Sequence, residues 1–117
     1  MASLSERIAS ARKMTVTVGH MTFHATRPTI EEFAALHRDK VKDPDIARRY
    51  ITGWDNVLES DLLPGGSSDP VAFDPALWNE AIADMPKVWS AICAQIAAAA
   101  ESFLASAGSN EKNSAAG

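Results

Sequence analysis

Between Met14 and His24 the chain alternates. Val16 and Val18 sit between threonines, Gly19-His20 interrupts, and Thr22, Phe23 and His24 resume the pattern. A period of two broken by glycine predicts a β-hairpin, with the glycine supplying the positive φ that a tight turn needs. At Thr29 the period changes to 3.6. Thr29 and Glu32 have capping-box spacing, and Ile30, Phe33, Ala34 and Leu36 or His37 form an apolar stripe. Asp43-Pro44 predicts a second short helix with the stripe Ile46, Tyr50 and Ile51, weakened at Gly53, so that Trp54 falls at a helix end or just past it. Residues 64–72, "PGGSSDPVA", are a loop by composition. Asp74-Pro75 repeats the helix start, presents Leu77, Trp78, Ala81 and Ile82, and runs to Pro86. The same proline opens a last helix with the stripe Trp89, Ile92, Ile96, Ala99 and Phe103. Leu4 and Ile8 lie one helical turn apart, so residues 1–13 read as a short helix or a frayed terminus, and residues 108–117 as a disordered tail. The expected fold is mainly α: one globular domain over 14–107 with four to five helices and a short N-terminal β-hairpin.

The composition bounds what this domain does. A chain of 117 residues buries roughly two-thirds of its unfolded surface, enough for one core. With 46% hydrophobic and 22% charged residues it is globular in type. A net charge of -4 disfavours nucleic acid, which needs a basic face to displace phosphate counterions. Arg38, Lys40, Lys42, Arg48 and Arg49 do cluster, but Asp39, Asp43 and Asp45 are interleaved with them. The alanine-rich stretch "VWSAICAQIAAAAESFLASA" is interrupted by Ser90, Gln95, Glu101 and Ser102, so it reads as a soluble helix and no membrane is expected. The lone Cys93 forms no internal disulfide, and "MASLSERIASARK" lacks the apolar stretch of a secretory signal; the expected location is cytoplasmic.

Candidate chemistry is sparse. His20 and His24 are four apart, a metal-binding spacing on a helix but not across a hairpin turn. His37 and Cys93 suggest a base and nucleophile without a local signature, and a cysteine in an amphipathic helix is usually a small buried hydrophobe. Glu59, Asp61, Asp69 and Asp74 lack the spacing of a calcium loop, and Gly65-Gly66 is no phosphate cradle. No enzyme, cofactor or metal is expected.

What remains is apolar surface, concentrated in and after "YITGWDNVLESDLLP". Together with "TVTVGHMTFHATRPTIEEF", "FDPALWNEAIADMPKVWSAI" and the closing "EKN", this segment makes the chain similar, over nearly all of residues 14–113, to the tail assembly chaperones of long-tailed bacteriophages and prophages. The resemblance implies a non-enzymatic, oligomer-forming protein. It would coat the apolar, mostly helical tape measure protein and recruit tail tube subunits, acting in the cytoplasm of a bacterial host. For such a role, apolar side chains must stay available to a client helix. The expected set is Trp54, Val57, Leu58, Leu62, Leu63, Phe73, Trp78, Trp89, Ile92 and Ile96, in a groove between the Trp54–Leu63 connection and the last two helices, with Trp78 or Trp89 at its floor. Two alternatives compete with this reading: a helix-turn-helix regulator built on residues 29–53, and a structural head-tail connector or tail-completion protein.

Overall fold

The computed structural model describes residues 2–116, with side chains described as far as Ala107. The order is α1 (Leu4–Ser10), β1 (Lys13–Val18), β2 (Met21–Thr26), α2 (Ile30–Arg38), α3 (Asp43–Tyr50), β3 (Ile51–Asp55), α4 (Glu59–Leu62), α5 (Pro75–Ala81), a 3-10 turn (Ile82–Asp84) and α6 (Pro86–Ala116). Residues 108–117, where the sequence predicts a disordered tail, lie outside those whose side chains are described.

The hairpin lies where the alternation puts it. Val18 pairs with Met21 across the two-residue turn Gly19-His20, and Gly19 has φ 60°. The expected mainly helical fold with only a hairpin is nevertheless corrected. Ile51–Asp55 leaves the helix and adds a third antiparallel strand, giving a sheet in the order β1-β2-β3 beside six α-helices among the described residues. The physical reason is a β-bulge. Ala25 pairs with Ile51 and His24 with Gly53, which leaves Thr52 without a partner. The extra residue shifts the alternation so that Ile51 and Trp54, three apart, are both buried. A spacing of three imitates a helical stripe. The helix pair 29–53 accordingly ends in a strand.

Local signals set the other boundaries. Thr29 and Glu32 complete their capping box, with the Thr29 amide donating to Glu32 Oε1 and the Glu32 amide to Thr29 Oγ1, both at 3.1 Å. Glu32 also accepts from the Tyr50 hydroxyl at 3.1 Å, tying α2 to α3. The Thr29 amide is the main reason that its carboxyl lies below the usual range. Asp74 caps α5 by accepting from the Ala76 amide.

The core is built on four rings. Phe23 of β2 lies 6.3 Å from Trp54 of β3 and 5.3 Å from Trp78 of α5; Trp54 meets Trp78 at 5.8 Å and Phe73 at 4.9 Å, both edge-on. The indole N–H of Trp54 donates to Val71 O at 2.7 Å, and that of Trp78 to Ala47 O at 3.2 Å, so neither ring strands a polar atom. Helix α6 closes the core with Val88, Ile92, Ile96 and Ala100 buried at four-residue intervals. That stripe is displaced from the expected one: Trp89 is only partly buried and Phe103 is exposed. Gln95 of α6 pairs twice with the backbone of Thr17, accepting from its N–H at 3.3 Å and donating to its O at 2.9 Å. It thereby occupies polar groups that an outer strand would otherwise leave for another chain.

Because Trp54 and Trp78 are core, alanine at either position should cost about 3–5 kcal/mol in urea denaturation. Thr52→Ala on the exposed bulge should cost no more than about 0.5 kcal/mol. A loss under about 1 kcal/mol for Trp54→Ala would show that its burial contributes little.

Candidate functional site

After β3 the chain turns through Asn56, whose φ is 59° and whose side-chain amide donates to His20 O at 2.8 Å. It then folds back on itself. The Val71 amide donates to Val57 O, the Glu59 amide to Asp69 O and the Ser60 amide to Ser67 O, all within 3.0 Å, and Leu58 bridges Pro70. The Pro-Gly-Gly break is what permits this closure. A Cβ on Gly66 would stand 3.0 Å or less from Glu59 atoms, including its backbone. The stretch is therefore too irregular for a long helix yet well bonded internally.

Asp61 pins the segment to the hairpin tip. One carboxylate oxygen, Oδ2, accepts from the Leu58 amide and meets His20 Nε2, both at 2.8 Å. Burial works against the Asp61 carboxylate, but those two hydrogen bonds and the His20 charge outweigh it, so its pKa lies below the usual aspartate range.

Between this segment and α5 lies an open groove of about 460 Å³. Leu62, Leu63, Val71, Leu77 and Ala81 supply its apolar lining; the remaining lining residues are Glu59, Glu80 and Asp84, all acidic. Leu63 is 57% exposed. Trp54 does not line the groove. It lies beneath, holding Val71 through the indole hydrogen bond and Phe73 by ring contact.

The expected partner-binding set therefore divides. Trp54, Val57, Trp78, Ile92 and Ile96 are buried in the protein's own core, which corrects their assignment to an open surface, and neither Trp78 nor Trp89 floors the groove. Leu58, Phe73 and Trp89 are partly buried outside it. Leu62 and Leu63 do line it. The sequence reading missed Val71, the acidic rim, and the groove role of Leu77 and Ala81. A signal was present: Leu77, Trp78, Ala81 and Ile82 make a stripe too wide for one core face, and Leu77 with Ala81 forms the half left over.

The other candidate chemistry is locked in structural bonds. His24 Nε2 meets Asp55 Oδ2 at 2.6 Å. Among the described residues no group of three or more His, Cys, Asp or Glu side chains is placed to hold a metal ion. His37 and Cys93 do line one smaller cleft, of about 300 Å³. There His37 Nδ1 bonds Phe33 O at 3.1 Å and the thiol donates to Asp43 O at 3.4 Å. Burial, with Asp43 beside it, pushes the thiol up to about 12, far from a reactive thiolate. In the basic cluster Arg38 pairs with Asp39 and Arg48 with Asp45, and Arg48 also donates to Asn79 O.

Two outcomes follow. Cys93 should alkylate with iodoacetamide at mildly alkaline pH at least about tenfold more slowly than in urea-unfolded protein; equal rates would contradict its protection. The Asp61 carboxyl is depressed in the fold, so its contribution is complete above the unfolded aspartate pKa and is lost as pH falls below it. Asp61→Asn should lower stability at pH 7 by about 1–3 kcal/mol and flatten the acid limb of the stability profile, whereas an unchanged acid limb would contradict the latch. No family model, curated protein or solved structure matches the chain.

Proposed function

We propose that the chain is a non-enzymatic holding protein that seats an apolar helix of another protein in the groove between the Glu59–Val71 segment and α5. The role is that of a tail assembly chaperone, as its resemblance implies: it shields tape measure helices and recruits tail tube subunits during assembly. The observation that supports this reading best is the chemistry of the groove, an aliphatic lining rimmed only by carboxylates. Such a surface suits an amphipathic helix whose apolar anchors are flanked by Lys or Arg.

The magnitudes favour holding over permanent capture. Three aliphatic anchors at about 2 kcal/mol each give about 6 kcal/mol before any ordering cost. One groove therefore binds no tighter than tens of micromolar, roughly, and firm retention of a long client needs several copies acting along it.

Fluorescence anisotropy with a labelled amphipathic helix of leucine and lysine tests the reading. Leu63→Glu should weaken binding at least about tenfold while leaving the thermal melt within about 2 °C, because Leu63 is exposed. A matched peptide with glutamate in place of lysine should bind more weakly than the lysine form. Equal binding by Leu63→Glu and the unmodified chain, or by both peptides, would overturn the assignment.

A further inference from the structure

The cleft of His37 and Cys93 shares no residue with the groove beside α5. It is lined by α2, α3, α6 and the link between the first two, and its volume of about 300 Å³ is far more than a packed interior ordinarily leaves open. The cause is local. Cys93 and Ala97, one turn apart on α6, are small where larger side chains would reach into the space.

The lining is graded from apolar to polar. Leu36 and Ile96 are buried, and Val41 and Ile46 half-buried. The exposed lining residues are His37, Lys40 and Asp43, which form the mouth. The Cys93 thiol is engaged with Asp43 O at 3.4 Å, and His37 Nδ1 with Phe33 O at 3.1 Å. Below the mouth no lining side chain is left to meet a polar group, so an occupant must be apolar along its body and polar at one end.

Charge fixes the sign of that end. Lys40 also borders an adjoining hollow with Lys42, Arg48 and Arg49. Arg48 pairs with Asp45 at 2.7 Å, whereas Lys40, Lys42 and Arg49 form no ion pair among the described residues and outnumber the Asp43 carboxylate. This is a cationic surplus in a chain of net charge -4. Lys40 also stands in the left-handed region, at φ 52°, just past the end of α2, where its amide donates to His37 O and that of Val41 to Leu36 O. Glycine is the residue such a helix end favours. A lysine there carries backbone strain and sets an ammonium at the mouth of the cleft.

We propose that this cleft binds a single medium-chain fatty acid, with its alkyl chain against Leu36, Ile46 and Ile96 and its carboxylate beside Lys40. The volume lies at the small end of ligand sites, which span about 300–1,000 Å³, and so suits one chain of medium length rather than a two-chain lipid. The site is separate from the groove beside α5 and does not rest on the reading proposed for that groove.

Isothermal titration of the full chain with decanoate, kept below micelle-forming concentrations, should show one site per chain. Octanoate should bind about tenfold more weakly, since each buried methylene is worth roughly a fourfold change in affinity. Decylammonium, with the same chain and the opposite charge, should bind at least about tenfold more weakly than decanoate. Methyl NMR with decanoate should move Leu36, Val41, Ile46 and Ile96 and leave Leu63 and Leu77 in place. Lys40→Gly should weaken decanoate binding at least about fivefold while its melting temperature stays equal or rises, because glycine relieves the positive φ. The ligand comparisons use the unmodified chain and stand whether or not that variant folds. Absence of decanoate binding, equal binding of decylammonium, shifts centred on Leu63 and Leu77, or unchanged affinity in folded Lys40→Gly would each overturn the proposal. So would binding to anionic phospholipid vesicles without binding of free decanoate, which would mark a membrane surface instead.

Discussion

The contact on which the rest depends is the edge-on meeting of Trp54 with Trp78 and Phe73 above Phe23. These rings come from β2, β3, α5 and the segment leading into α5, so each element buries its largest side chain against another. Such pairs add about 0.5–1.5 kcal/mol each beyond the area they bury. Their polar edges matter as much. The Trp54 and Trp78 N–H groups reach carbonyls of two separate segments, Val71 and Ala47, and so position backbone that hydrophobic contact alone would leave free to slide. Among the described residues no buried side-chain polar atom lacks a partner. The groove wall at Val71 thereby inherits its position from the core beneath it.

This explains how an irregular stretch supports a site. Its inner face is held by Trp54, its closure by the backbone bonds from Val57 to Val71, its foot by Asp61 against His20, and its tight bend by a glycine at position 66. Leu62 and Leu63 then lie on the outer side of a braced segment, which lets an exposed leucine persist in one place without regular secondary structure around it.

How much of this was legible in the sequence follows from which signals are local. Capping at Thr29 and Asp74, the Asp-Pro start of α5 and the Gly19 turn are short-range, and the structure places them where the residues indicate; α3 instead begins at Asp43 itself, the expected cap, with Lys42 at the cap position and no side-chain capping bond. The third strand was not legible, because the bulge at Thr52 gives Ile51 and Trp54 the spacing of a helix and only pairing with β2 reveals otherwise. The candidate site was half legible. Leu62 and Leu63 were readable as surplus apolar residues, but Trp54 and Trp78 were misassigned to an open surface, since a ring that a small core needs looks the same in sequence as one left for a partner. The acidic rim joins Glu59 to Glu80 and Asp84 across a chain reversal, a proximity that no spacing rule encodes.

The net charge of -4 is unevenly placed: the apolar groove beside α5 carries Glu59, Glu80 and Asp84, while the hollow beside Phe103 carries Arg12 and Arg27. Methyl NMR of the full chain titrated with a lysine-flanked amphipathic helix tests most directly whether the groove beside α5 is the docking surface. Shifts should be confined to Leu62, Leu63, Val71 and Leu77, with Val16, Ile82 and Ile92 of the core unmoved. Shifts centred instead on Val41 and Ile46, which line the cleft of His37 and Cys93, or none at all, would contradict the assignment of the groove.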